Sequence, residues 1–175
     1  LFGLYLYTYR RKLLDSLRYV LFLTILMSML ISAAFLVLRH FSASYIFLIP
    51  FAWVPIITRV FYDSRTAIFI HIITVFIVSI AAPAPYVFIL LQVITGIVAV
   101  ISLRDMTQRA QLAQTALFTF LMYSIVYTAS TLLVTGSIAN VEYNYYIYFA
   151  VNAVLVICAY GLIFLFERTF GLVSN

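Results

Sequence analysis

The chain consists of long runs of apolar residues separated by short polar connections. A helix needs roughly 17–25 apolar residues to cross the hydrocarbon core of a bilayer, and runs that do not alternate with polar residues argue against membrane β-strands. The pattern therefore predicts an all-α fold, a polytopic integral membrane helical bundle with six full transmembrane helices. The apolar residues 1–9 predict the last turns of an earlier helix, a truncated N-terminal stub. The predicted spans are residues 19–38, 45–61, 66–82, 86–103, 112–135 and 145–166.

Composition supports lipid as the main solvent of this chain. Hydrophobic residues make up 66% of its 175 residues and charged residues 9%, whereas soluble domains carry about 25% charged residues. The net charge of +5 does not indicate nucleic-acid binding, because the basic residues lie between the spans. The single cysteine, Cys158, excludes a disulfide framework. No repeat or linker divides residues 1–175, so we predict one transmembrane domain. Because the chain starts at Leu1 rather than Met, we expect it to begin inside a longer protein.

The basic residues fall on one side of the predicted membrane. Nine of the ten lie in alternate connections, and Arg39 is the exception. Connections rich in Lys and Arg stay in the cytoplasm. We therefore expect these connections and the C-terminus to be cytoplasmic, in a multi-pass protein of the inner cell membrane. The nine residues are Arg10, Arg11, Lys12, Arg18, Arg59, Arg65, Arg104, Arg109 and Arg168.

Each predicted cytoplasmic connection also carries one acidic residue among its basic residues. Arg11–Asp15 and Asp105–Arg109 have the four-residue spacing that brings side chains together on a helix. One interpretation is charge balancing at a wet interface. The other is a docking surface for a cytoplasmic domain, which pairs worth about 0–1 kcal/mol each would orient rather than hold. The candidate docking residues are Asp15, Arg59, Asp63, Arg65, Arg104, Asp105, Arg109, Glu167 and Arg168.

Three polar side chains stand out within the predicted spans, namely His71, Gln92 and Asn152. A polar group in lipid needs a partner, so we expect all three to face the interior of the bundle. The sequence favours interhelical hydrogen bonds, each worth on the order of 0.5–2 kcal/mol. A small-ligand site around these residues is the alternative. The small residues within 95–102 predict close helix packing.

Signatures of catalysis are missing from the sequence. It has two histidines, His40 and His71, and no His, Cys, Asp and Glu cluster with the spacing of metal ligands. It also lacks a Gly-rich phosphate loop and a nucleophile elbow. We therefore assign no catalytic residue, no metal ligand and no cofactor to these residues.

Three segments on the predicted cytoplasmic side resemble those of one family. They are RVFYDSR at residues 59–65, the stretch from GIVAVISLRD to RAQL at residues 96–112, and FERTFGLVS at residues 166–174. With the order of the spans, they resemble the membrane domain of the seven-transmembrane receptors with an intracellular HD hydrolase, the PgpH-like cyclic di-AMP phosphodiesterases. The resemblance covers nearly the whole chain.

This resemblance implies a membrane anchor and signal-transducing domain of a bacterial phosphodiesterase. An extracytoplasmic domain would precede the chain, and the stub would return from it. A cytoplasmic HD domain would follow and hydrolyse cyclic di-AMP with two divalent metal ions, so the catalytic ligands would lie outside this chain. The last span would pass a shift in helix packing to that domain. The partners implied are the lipid bilayer and the protein's own two flanking domains, and a homo-oligomer is compatible with the sequence.

Two other functions fit the size and the number of spans. One is a six-helix solute-binding subunit of a transporter, with His71, Gln92 and Asn152 lining its pocket. The other is a membrane scaffold of the cell-shape type. A natural chain that continues into a helical region containing His-Asp would favour the phosphodiesterase, and one that ends close to Asn175 would favour the alternatives.

Overall fold

A computed structural model describes residues 17–103 and 109–170, and these residues form helices and short connections without a strand. The predicted all-α bundle is therefore confirmed over these ranges. The stub predicted at residues 1–9 lies outside them. The α-helices are α1 (Leu17–His40), α2 (Trp53–Phe61), α3 (Ser64–Ser79), α4 (Pro85–Ser102), α5 (Arg109–Thr135), α6 (Asn144–Ile157) and α7 (Ala159–Phe170), with 3₁₀ turns at Ala43–Leu48 and Ile138–Asn140.

Five segments of the described chain are long and apolar enough to cross a membrane, rather than the six predicted. The predicted span 66–82 corresponds to α3, which has 16 residues and rises about 24 Å. This helix stops at Ser79 because the chain turns there and then meets Pro83 and Pro85, which cannot continue the hydrogen-bonding pattern. The five segments are Val20–His40, Ala43–Phe61, Pro85–Ser102, Gln111–Thr135 and Asn144–Thr169.

Large apolar side chains cover the outside of the bundle. Ile80 and Leu133 are each 85% exposed, and Val134 is 77% exposed. Soluble monomers rarely expose contiguous apolar surface of this extent, whereas a hydrocarbon solvent accommodates it without cost. The chain is a multi-pass membrane protein.

The second span is interrupted in its N-terminal half. The 3₁₀ turn Ala43–Leu48 ends at Ile49, and Pro50 then separates it from α2. Pro55 lies at the third position of α2, where an N–H would have no partner within the helix. Pro50 therefore interrupts the span, whereas Pro55 lies within regular helix.

The last span is also broken, which the predicted continuous run 145–166 did not anticipate. Helix α6 ends at Ile157 and α7 begins at Ala159. The Trp53 indole Nε1–H donates a hydrogen bond of 2.8 Å to the carbonyl oxygen of Leu155. A side chain that engages a carbonyl of the helical ladder is a known cause of a break, so a residue of α2 accounts for the junction between α6 and α7.

Two further residues set helix ends. Pro85 occupies the start of α4, where its missing N–H costs nothing and its fixed φ suits a helix. Gly136 has φ of 69°, and its N–H donates 2.8 Å to the carbonyl of Leu132. This left-handed conformation closes the end of α5 and favours glycine.

Candidate functional site

Four aromatic residues connect three helices at the arginine-rich end of the bundle. Phe22 of α1 meets Phe61 of α2 edge-to-face at 5.2 Å between ring centroids, and Phe166 of α7 at 5.0 Å. Phe22 also stacks against Tyr62 at 6.3 Å. Aromatic pairs add about 0.5–1.5 kcal/mol beyond the area they bury. This aromatic cluster (Phe22, Phe61, Tyr62 and Phe166) therefore holds the start of α1 and the ends of α2 and α7 together.

Three of the predicted docking residues lie at or beside the connection between α2 and α3. Asp63 precedes α3, and its carboxylate oxygen accepts a hydrogen bond of 2.6 Å from the hydroxyl of Thr66. A negative charge at this position interacts favourably with the helix dipole. Arg59 is half-buried, and its Nε has no hydrogen-bond partner among the described residues. Arg65 is exposed. These side chains therefore place one anion at the start of α3 and two cations close to it.

The last turn of α7 carries the other described docking residues. Glu167 is half-buried and Arg168 is exposed, directly after Phe166 of the aromatic cluster. Asp15, Arg104 and Asp105 lie outside the described residues, and the side chain of Arg109 does too. The docking surface stays a prediction. The structure brings five of its members to one end of the bundle, namely Arg59, Asp63, Arg65, Glu167 and Arg168.

A buried polar contact links the middle parts of α3, α4 and α5. The His71 ring nitrogen Nε2 lies 2.8 Å from the backbone carbonyl oxygen of Gln92, to which it donates. The hydroxyl of Tyr123 donates to the side-chain oxygen of Gln92 at 2.6 Å. Gly96 permits the first contact, because a Cβ at this position would overlap the imidazole of His71. The structure thus pairs two of the three predicted intramembrane residues and adds Tyr123 to them.

Several polar atoms at the contact between α3 and α4 make no hydrogen bond to a described residue. Among the described residues, His71 Nδ1, Gln92 Nε2 and Thr95 Oγ1 are buried and have no partner. Buried polar atoms are normally paired, so the contact is polar but incompletely satisfied by protein groups.

Asn152 has a different role from His71 and Gln92. Its amide nitrogen donates to two backbone carbonyls, those of Phe47 at 3.0 Å and Ile49 at 2.9 Å. These are carbonyls of the interrupted second span, where regular helical partners are missing. Asn152 therefore fastens the 3₁₀ turn Ala43–Leu48 to α6. A ligand site shared by all three polar residues stays a prediction.

Comparison with known families identifies the class of this bundle. Residues 1–174 match the model of the family described as 7TM receptor with intracellular HD hydrolase. The chain belongs to this family. No curated protein and no solved structure matches it. The family assignment confirms the resemblance carried by the segments at residues 59–65, 96–112 and 166–174, and it favours a receptor domain linked to an HD hydrolase over a transporter subunit or a scaffold.

In this receptor domain, sequence reasoning missed the residues that link distant helices. Trp53 is the single tryptophan of the chain. Its position between Pro50 and Pro55 was the feature of the sequence that could have indicated a structural role. Tyr123 was detectable as a hydroxyl in the middle of a span. Neither partner could be named from the sequence, because the contacts join residues 102 and 31 positions apart. In the described part of the chain no group of three or more His, Cys, Asp or Glu side chains could hold a metal ion.

Proposed function

We propose that this chain is the membrane anchor and signal-transducing transmembrane domain of a bacterial HD-family phosphodiesterase that hydrolyses cyclic di-AMP. The family assignment supports the link between a receptor-type bundle and an HD hydrolase. The substrate and the two divalent metal ions of the HD domain follow from the resemblance of the cytoplasmic segments. The positive-inside rule supports an inner-membrane location with the arginine-rich end in the cytoplasm.

The observation that carries the transducing role is the junction between α6 and α7. Helix α6 is attached to the interrupted second span by Asn152, and α7 is attached to α1 by Phe166, whose ring meets Phe22. The two halves of the last span therefore have separate anchors on either side of the break. Trp53 of α2 donates to the carbonyl of Leu155 near the end of α6. A change at the outer end that moves α6 would therefore act on this hydrogen bond and, through it, on the angle between α6 and α7.

A two-state account follows from this arrangement. An external stimulus can shift the bundle only if it binds two arrangements with different affinity. In our proposal the two arrangements differ in the angle between α6 and α7, and the Trp53–Leu155 hydrogen bond stabilises one of them. The charged residues at the end of α7 would then orient the HD domain, and a homo-oligomer would align two such domains.

The experiment that tests this function uses the full-length protein in lipid nanodiscs. Trp53→Phe removes the indole donor and keeps an aromatic ring. Because a neutral hydrogen bond contributes about 0.5–1.5 kcal/mol, we expect the rate of cyclic di-AMP hydrolysis with manganese to change about two- to tenfold. Tyr143→Phe, on an exposed ring at the other end of the bundle, is the matched control and should leave the rate unchanged. Equal rates for Trp53→Phe and the wild-type protein would contradict relay through this junction.

A further inference from the structure

A pocket of about 240 Å³ lies at the end of the bundle opposite the arginine-rich connections. It is bounded by the 3₁₀ turn Ala43–Leu48, the turn before α4, and helices α5 and α6. The exposed residues Val134 and Thr135 contribute to its lining, so it reaches the protein surface. Its walls include Ser44, Phe47, Val87, Tyr127, Thr131 and Tyr145.

The lining defines the chemistry of an occupant. Aromatic rings of Phe47, Phe88, Tyr127 and Tyr145 form much of the wall, and the described residues that line the pocket include no charged side chain. Aromatic walls favour a flat ring, which packs by offset stacking or edge-to-face contact. A charged ligand would lose its hydration without gaining a counter-charge. The occupant should therefore be uncharged and contain a ring.

Hydroxyl groups add a polar feature to this apolar pocket. The Ser44 and Tyr145 hydroxyls lie 3.2 Å apart, which uses one donor of the pair. A hydroxyl donates once and accepts twice, so one donor and several lone pairs of the pair remain available to a ligand. The volume also limits the ligand, since a dry cavity of about 150 Å³ accommodates benzene. The larger volume here suits one ring with a short polar substituent.

We propose that this pocket is a binding site for an uncharged single-ring alcohol or phenol. The ring lies among Phe47, Tyr127 and Tyr145, and the ligand hydroxyl bonds to the Ser44–Tyr145 pair. This goes beyond the proposed function, in which the bundle only relays a stimulus, because it gives the membrane domain a ligand of its own. The site is also connected to α6, the helix that moves in the proposed function, since Ser44 lies on the 3₁₀ turn that Asn152 fastens to α6.

The test uses the full-length protein in nanodiscs and para-fluorobenzyl alcohol as the probe, observed by fluorine NMR. We expect saturable binding above the partitioning measured with empty nanodiscs. Ser130→Phe places a ring in the pocket and should abolish saturable binding, because Ser130 is buried and lines it. Ala129→Phe makes the same change at the neighbouring exposed position and should leave binding intact.

A second variant tests the hydroxyl pair without filling the pocket. Ser44→Ala should weaken binding of para-fluorobenzyl alcohol about two- to tenfold, the effect of one neutral hydrogen bond. It should leave binding of para-fluorotoluene, which has no hydroxyl, unchanged. Partitioning equal to that of empty nanodiscs, or equal weakening of both probes by Ser44→Ala, would overturn the proposal. This experiment measures binding, so a failure of the proposed ligand site is distinguishable from a failure of the full-length protein to hydrolyse cyclic di-AMP.

Discussion

At the scale of single residues, Gly96 has the tightest steric requirement of the three glycines that the structure describes. It lies on α4 where the ring of His71 from α3 covers the helix backbone, and the imidazole occupies the space that a Cβ would need. The His71 donor reaches the carbonyl of Gln92, one turn earlier on the same helix. Close approach of two membrane helices through a small residue is a common packing device, and here it also positions a polar contact.

We expect Gly96→Ala to destabilise the bundle by about 1–3 kcal/mol, the usual cost of overpacking. The added methyl group must displace His71 or separate α3 from α4. Gly161→Ala is the matched control, because a Cβ there meets open space within α7. Its stability should be unchanged or higher by up to about 1 kcal/mol, since Ala favours helix. Titration with a denaturing detergent measures both values, and equal unfolding free energies for the two variants would contradict the assigned packing.

The limits of sequence reasoning are visible at this scale. The burial of His71 and Gln92 was predictable, because a polar group in a lipid-exposed position is costly. Their pairing was not, because it depends on the register of α3 against α4 and on the missing side chain at Gly96. Asn152 was predicted to be buried as well, but its partners are backbone carbonyls made available by the break at Pro50.

At the scale of elements, the two interrupted spans stabilise each other. Asn152 of α6 donates to the carbonyl of Ile49 in the second span, which also accepts from the N–H of Phe51, and Trp53 of the second span donates to the carbonyl of Leu155 in α6. Length and hydropathy predicted where the spans lie, since those features depend on local sequence. They did not predict the break at Cys158 because its cause is a side chain from another helix. The predicted span 66–82 ended past Ser79, the last residue of α3, because apolar residues continue beyond that helix.

We expect Asn152→Leu to loosen the 3₁₀ turn Ala43–Leu48. The substitution keeps the branched shape of the side chain but removes the amide donor to the carbonyls of Phe47 and Ile49. The Ile49 carbonyl keeps the N–H of Phe51, whereas the Phe47 carbonyl loses the Asn152 donor, and an unsatisfied buried group costs about 1–3 kcal/mol. Hydrogen–deuterium exchange over residues 43–52 should become faster. Val154→Leu, on the exposed face of α6, provides the control and should not change it. Unaltered exchange in Asn152→Leu would show that other contacts hold the turn.

At the scale of the whole molecule, the bundle has two chemically different ends. One carries the aromatic cluster with Arg59, Arg65 and Arg168, and the other carries the tyrosine-rich start of α6 and the uncharged pocket. This asymmetry suits a domain that receives a stimulus at one end and connects to a hydrolase at the other. This asymmetry was largely predictable, because alternate connections of a membrane bundle lie at the same end, and nine of the ten basic residues fall in alternate connections.

We expect metal removal to affect the HD domain of the full-length protein and not its membrane bundle. A chelator should abolish hydrolysis of cyclic di-AMP, because the proposed chemistry needs two divalent ions in the HD domain. It should not change the unfolding of the membrane bundle, measured by detergent titration as for Gly96→Ala. Hydrolysis that persists after complete metal removal would contradict the proposed class of enzyme.

The most direct test of the account is the sidedness of the bundle. In a Cys158→Ala background, Arg65→Cys and Tyr143→Cys each place one thiol at an exposed position, at opposite ends. A membrane-impermeant maleimide applied to intact cells stripped of any outer barrier should label Tyr143→Cys at once, and Arg65→Cys only after the membrane is permeabilised. Labelling of Arg65→Cys in intact cells, with Tyr143→Cys protected, would contradict a bundle whose arginine-rich end serves a cytoplasmic hydrolase.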